Sequence, residues 1–91
     1  MRTNQTTTSE IAIWRRVLEP GKPTFSADAA RSILALDFRP NDREQMQELA
    51  AKARAGTLSP DEQSAIDNYE KVGHLLSLLK AKAQVSLKTT A

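Results

Sequence analysis

Residues 59–87 read SPDEQSAIDNYEKVGHLLSLLKAKAQVSL, a pattern typical of one long α-helix. Ser59 is a favourable N-cap, Pro60 suits the first helical position, and Glu62 completes a capping box with Ser59. The only helix breaker that follows is Gly73, which costs about 1 kcal/mol relative to alanine. We therefore predict a helix from residue 60 to about residue 86.

The apolar residues of this segment form one stripe and a second group beside it. Six positions recur in steps of four and three, as in a heptad seam, and are expected to face the core: Ala65, Tyr69, Val72, Leu76, Leu79 and Ala83. Leu75, Leu78 and Val85 lie well outside that stripe. The apolar surface therefore widens toward the C-terminus, as in helices enclosed by more than one neighbour.

The predicted helix is also longer than the domain is wide. About 27 helical residues span about 40 Å, whereas a compact chain of 91 residues is roughly 31 Å across. We hypothesise that residues 72–87 form a partner-binding or self-association surface. Its expected residues are Leu75, Leu76, Leu78, Leu79 and Val85, with Trp14 as a candidate anchor. In the alternative, the first helix folds back over this face and Trp14 belongs to the core.

A first helix is predicted over residues 10–19, with Ser9 as its N-cap and Pro20 at its end. Its apolar positions at helical spacing are Ile13, Trp14, Val17 and Leu18. Residues 1–8 are polar, lack the apolar region of a secretory signal and are expected to form a disordered tail. No segment approaches the roughly 18 apolar residues that a membrane span needs. We expect a cytoplasmic protein that does not enter the membrane.

A second helix is predicted to begin after Ser26 as its N-cap. Pro40 disfavours helical geometry at the residue before it, so this helix is expected to stop near Asp37 or Phe38. Phe38 and Phe25, at the two ends of the helix, are expected to fill the core.

Asn41 or Asp42 is predicted to cap a third helix that stops at Gly56, and Asn41 and Glu44 have the spacing of a capping box. The sequence thus predicts an all-α fold of about four helices, with a C-terminal helical hairpin whose last helix is long. We expect one domain over residues 9–88 and disorder at 89–91.

The charged residues are unevenly distributed along the chain. The 13 Lys and Arg residues exceed the 11 Asp and Glu residues by only two. By segment, the net charge is +2 over residues 1–41, −4 over residues 42–70 and +4 over residues 71–91. The basic C-terminal segment can meet the acidic middle in the same or a second copy, meet an acidic partner, or simply remain solvated.

Nucleic-acid binding by the basic C-terminal helix is the alternative function. The candidate residues are Arg15 and Arg16 together with Lys71, Lys80, Lys82 and Lys88. The short turn at Gly56 resembles that of a helix-turn-helix motif. However, Asp61 and Glu62 lie in the first turn of the last helix, where a recognition helix approaches phosphates, and would be repelled. Protein binding is therefore the favoured function.

Nothing in the composition indicates an enzyme. The chain has no cysteine, one histidine and three isolated glycines, so it lacks a thiolate site, a nucleophile motif and a phosphate loop. Asp67, Glu70 and His74 share a helical face, but a metal site needs ligands from a second element. A solvated face with Glu70 paired to His74 is the favoured interpretation. We predict a non-enzymatic protein without a metal or cofactor.

Four segments resemble a group of small bacterial helical proteins of unknown activity. They are SILALDF at 32–38, ELAAKA at 48–53, GTLSP at 56–60 and YEKVGHLL at 69–76. The likeness covers roughly residues 14–88. Members of that group are often encoded beside HNH-type nucleases, so the resemblance implies a protein partner and an antitoxin-like or accessory role. It implies no catalytic residues.

Overall fold

The computed structural model describes residues 8–90, with side chains through Lys88. Over these residues it has no strand and four helices: α1 (Glu10–Leu18), α2 (Ala27–Leu34), α3 (Pro40–Ala55) and α4 (Pro60–Thr90). The prediction of an all-α fold with a long last helix is confirmed. The tail predicted over residues 1–8 lies outside the described residues except for Thr8, an exposed turn residue. In the described part of the chain, no helix is both long and apolar enough to cross a membrane.

Serine side chains cap three of the four helices, as predicted. Ser9 and Ser26 each accept a hydrogen bond from the backbone N–H three residues later, at 3.2 and 3.1 Å. At α4 the bonding is reciprocal. The Glu62 N–H donates to Ser59 Oγ at 3.1 Å, and the Ser59 N–H donates to Glu62 Oε1 at 3.0 Å. These bonds satisfy backbone donors that a helix N-terminus otherwise leaves unpaired.

The start of α3 differs from the prediction. The helix begins at Pro40, and its N-cap Arg39 makes no side-chain capping bond, so neither Asn41 nor Asp42 is the cap. Proline has the φ angle of a helix and lacks the N–H that would be unpaired at this position, so it begins a helix well. Asp42 is thereby left for another contact, described below.

The ends of the helices follow local chemistry. Gly56 stops α3 in the left-handed conformation at φ 73°, as predicted, and the Thr57 N–H donates to the carbonyl of Lys52 at 3.0 Å. Helix α2 ends at Leu34, before the predicted stop. Helix α4 continues to Thr90, beyond the predicted end near residue 86 and into the segment that was expected to be disordered.

The chain packs as two compact units that share α4. We call the first the clasp unit; among the described residues it contains 8–36 and the part of α4 from His74 onward. We call the second the hairpin unit; it runs from Asp37 to Gly73 and contains α3 and the first half of α4. The single domain predicted over residues 9–88 stays a prediction.

The buried positions of α4 do not follow the predicted stripe. Of its six residues only Ala83 is buried, and Val72 is 53% exposed. The other buried side chains on α4 are Leu78, Lys82 and Ser86, all in the clasp unit. The predicted stripe requires one packing partner along the whole of α4. Each half of α4 packs within a different unit instead, so the stripe is not buried continuously.

Candidate interaction surfaces

Most of the partner-binding face predicted on α4 is covered by the chain itself. Leu78 is only 7% exposed, so the prediction that it is available to a partner is wrong. The remaining members of the predicted surface are half-buried: Leu75, Leu76, Leu79, Val85 and, on α1, Trp14. The physical reason is that the N-terminal segment packs in the same unit as this half of α4.

Lys82 and Ser86 hold the loop after α1 onto α4. The Lys82 ammonium donates to the carbonyls of Glu19 and Lys22, at 3.2 and 3.0 Å, and lies 5.2 Å from the centre of the Phe25 ring. One turn later, the fully buried Ser86 hydroxyl accepts a hydrogen bond from the Phe25 N–H at 3.2 Å. We call these four contacts the polar clasp. A buried polar group must be bonded to be tolerated, and both of these are.

The polar clasp removes Lys82 from the predicted nucleic-acid surface. The side chain is 5% exposed and its ammonium is used by backbone carbonyls, so it cannot reach a phosphate, and that prediction is wrong. Lys71 and Lys88 are exposed and Lys80 is half-buried. Lys71 and Lys80 are nine residues apart, which at about 100° per residue places them on opposite sides of α4. The lysines therefore form no continuous stripe.

Helix α1 has an apolar outer face. Ile13 and Val17, one turn apart, are 44% and 66% exposed, while Trp14 and Leu18 are half-buried. The four apolar positions predicted for α1 are thus divided between two sides of the helix. We call Ile13 and Val17 the α1 outer face.

The hairpin unit contains an open groove between the start of α3 and the first half of α4. It has a volume of about 430 Å³ and is lined by Phe38, Asp42, Ala65, Asn68, Tyr69 and Val72. The Phe38 and Tyr69 rings meet edge to face, with centroids 6.0 Å apart and an interplanar angle of 69°. Two of the four aromatic side chains of the protein therefore line this groove.

One hydrogen bond fixes the polar side of the groove. The Tyr69 hydroxyl donates to Asp42 Oδ1 at 2.7 Å. This bond, together with partial desolvation and the carboxylate charge, raises the pKa of Tyr69 above its ordinary value of 10.0. The hydrogen bond orients the phenol, whose ring packs against Phe38.

An ion pair joins α3 to α4 in the same unit. Lys52 donates to Glu62, the residue that also completes the α4 capping box. The hydrogen bond from Lys52, followed by that from the Ser59 N–H, lowers the pKa of Glu62 below 4.5. The same pair raises the pKa of Lys52 above 10.5. Both groups therefore remain charged near neutral pH and support the hairpin that forms the groove.

Sequence reasoning missed the groove because its residues were assigned elsewhere. Phe38 was expected to fill the core, Tyr69 and Val72 to lie in the stripe, and Asp42 to cap α3. The available signal was Pro40. Taking it as the first helical residue would have released Asp42 from the cap and placed it in the first turn of α3.

The residues considered for a metal site do not form one. No group of three His, Cys, Asp or Glu residues within residues 8–88 is arranged to hold a metal ion. Glu70 and His74 are exposed, and the described side chains include no ion pair between them, so the pairing expected from their spacing is absent.

Comparison of the chain with protein-family models, with curated proteins and with solved structures gives no match. The resemblance to small bacterial proteins encoded beside HNH-type nucleases therefore stays a prediction.

Proposed function

We propose that this chain is a non-enzymatic, cytoplasmic interaction module that binds an apolar helical segment of a protein through the groove of the hairpin unit. The observation that carries the proposal is the composition of the groove. Phe38, Tyr69 and Val72 line an open cavity instead of filling a core. Val72 keeps more than half of its surface in water.

Burial of these side chains by a partner would supply the binding energy. Removing apolar surface from water yields about 25 cal/mol per Å², and aromatic residues are enriched among those that dominate binding. Asp42 and Asn68 add polar groups at the groove, which can fix the orientation of the partner. An apolar helix lying in such a groove is a common mode of protein recognition.

This proposal moves the interaction surface from the C-terminal half of α4 to the hairpin unit. Leu78 is covered within the chain, whereas Val72 is open to solvent. An antitoxin-like or accessory role, which the resemblance implies, would use the groove to hold its partner. Nucleic-acid binding is not proposed, because Lys82 is buried.

The test is capture of partner proteins by the tagged full chain with a charge placed in the groove. Val72→Glu should abolish capture at low and at high salt, because a carboxylate cannot be desolvated against an apolar partner. Leu36→Glu is the matched control, since Leu36 is 49% exposed, lies outside the groove and gains the same charge. Equal capture by both variants, or capture that high salt removes from the native protein, would contradict the proposal.

A further inference from the structure

Within the described residues, each unit has an apolar surface that is open to solvent. One is the α1 outer face, and the other is the groove with Val72 at its edge. We propose that the groove is occupied by α1 of a second copy of this chain. This inference rests on the proposed function, because it names the partner of the same groove.

The two surfaces have matching dimensions. Helix α1 has nine residues and is therefore about 13 Å long. The part of α4 that lines the groove runs from Ala65 to Val72, a length of about 10 Å. Ile13 and Val17, about 6 Å apart on one side of α1, can both lie along that length.

Charge complementarity favours the same pairing. The hairpin unit, residues 37–73, carries eight acidic and five basic side chains, a net charge of −3. Helix α1 carries Arg15 and Arg16 against Glu10. Arg16 lies three residues after Ile13 and one before Val17, so it borders the outer face, while Asp42 borders the groove. A basic apolar helix is thus presented to an acidic apolar groove, and like charges would oppose the pairing of two grooves.

The contact joins two unlike surfaces, so two copies can exchange their α1 helices across a two-fold axis, or each copy can give its α1 to one neighbour and its groove to another. The first arrangement closes as a dimer, whereas the second closes into a ring or continues as an open chain, depending on the rotation between copies. A nine-residue helix buries little area, so association should be weak and should increase with concentration.

The first experiment measures the mass of the full chain by sedimentation velocity over a concentration series. The native protein should associate as concentration rises. Val17→Glu and Val72→Glu should each weaken association at least tenfold, while Leu36→Glu should leave it unchanged. Circular dichroism checks folding, and Val17→Ser and Val72→Ser replace any glutamate variant that loses helix content. A native protein that is monomeric at every concentration, or equal weakening by Leu36→Glu, would overturn the inference.

The second experiment mixes the two defective chains. The Val17→Glu chain keeps an intact groove, and the Val72→Glu chain keeps an intact α1 outer face. An equimolar mixture should therefore regain association, and only as a one-to-one dimer. A mixture that stays monomeric would show that the intact groove does not bind the intact α1 outer face and would overturn the inference. If the mixture does not associate but capture of another protein still depends on Val72, the proposed function stands and only this inference fails. If neither association nor Val72-dependent capture is found, both proposals fail.

Discussion

In the clasp unit, buried polar groups hold the N-terminal loop onto α4, whereas in the hairpin unit apolar and aromatic groups line an open groove. The hydrogen bonds of the polar clasp join residues 60 to 63 positions apart. The side-chain hydrogen bonds between α3 and α4 in the hairpin unit join residues 10 and 27 positions apart. On α4, Lys82 and Ser86 are buried and hold the loop after α1, whereas Val72 is exposed to solvent. Hydrophobicity alone therefore does not separate the part of α4 that stabilises the chain from the part that can bind.

The largest effect is expected at Lys82, because its ammonium serves two backbone carbonyls. Lys82→Ala should lower the free energy of unfolding by about 3 kcal/mol, as expected for loss of charged hydrogen bonds in a buried place. Urea unfolding followed by circular dichroism measures this change. Lys88→Ala, at an exposed position of the same helix, is the control and should stay within about 0.5 kcal/mol of the native protein. Equal stability of the two variants would show that the clasp does not hold the unit.

A smaller loss is expected at Ser86, which accepts one hydrogen bond from the Phe25 N–H. Ser86→Ala leaves that donor without its partner and should cost about 1–2 kcal/mol in the same unfolding experiment. Ser77→Ala is the matched control, because Ser77 is an exposed serine of α4. If the Ser77 variant lost as much stability, the effect would belong to serine on a helix and not to the clasp.

In the hairpin unit the capping box should contribute about 1 kcal/mol. Ser59→Ala removes the hydroxyl that accepts from the Glu62 N–H, and caps of this kind are worth about that much. The unfolding midpoint in urea reports the change. Ser64→Ala, at an exposed position inside α4, should be close to neutral. A loss of stability larger than that of Lys82→Ala would contradict the expectation that the polar clasp contributes more to stability than the capping box.

The smallest effect is a shift in titration at the groove. The protein has a single tyrosine, so ultraviolet absorbance reports the ionisation of Tyr69 alone, which should occur above pH 10.0. Because the folded pKa is raised, the stability that this group contributes is present below pH 10.0 and is lost as pH rises through the folded pKa. Asp42→Asn should move the pKa back toward 10.0, because it removes the carboxylate.

Asp67→Asn, which removes an exposed carboxylate outside the groove, is the control for that titration and should leave the pKa of Tyr69 unchanged. If Asp42→Asn also left the pKa unchanged, the bond between Asp42 and Tyr69 would not be what fixes the polar side of the groove.

The sequence was informative where the contacts are local. The caps at Ser9, Ser26 and Ser59 and the stop at Gly56 depend on residues within one turn, and all four predictions are confirmed. The polar clasp could not be predicted, because no periodicity indicates that a lysine will meet carbonyls 60 residues away. The groove was missed for a related reason. Val72 lies in the predicted core stripe of α4, but that stripe is not buried as one continuous surface, and Val72 is exposed.

The wide separation of the polar-clasp residues has a consequence for biosynthesis. Phe25 leaves the ribosome 61 residues before Ser86, an interval of roughly 3 to 12 s at ordinary rates of translation. Helix α3 and the first half of α4 emerge within that interval, so the hairpin can form while the nascent N-terminal segment still lacks its docking site. The N-terminal segment is therefore the part of the emerging polypeptide that a chaperone would meet unpacked.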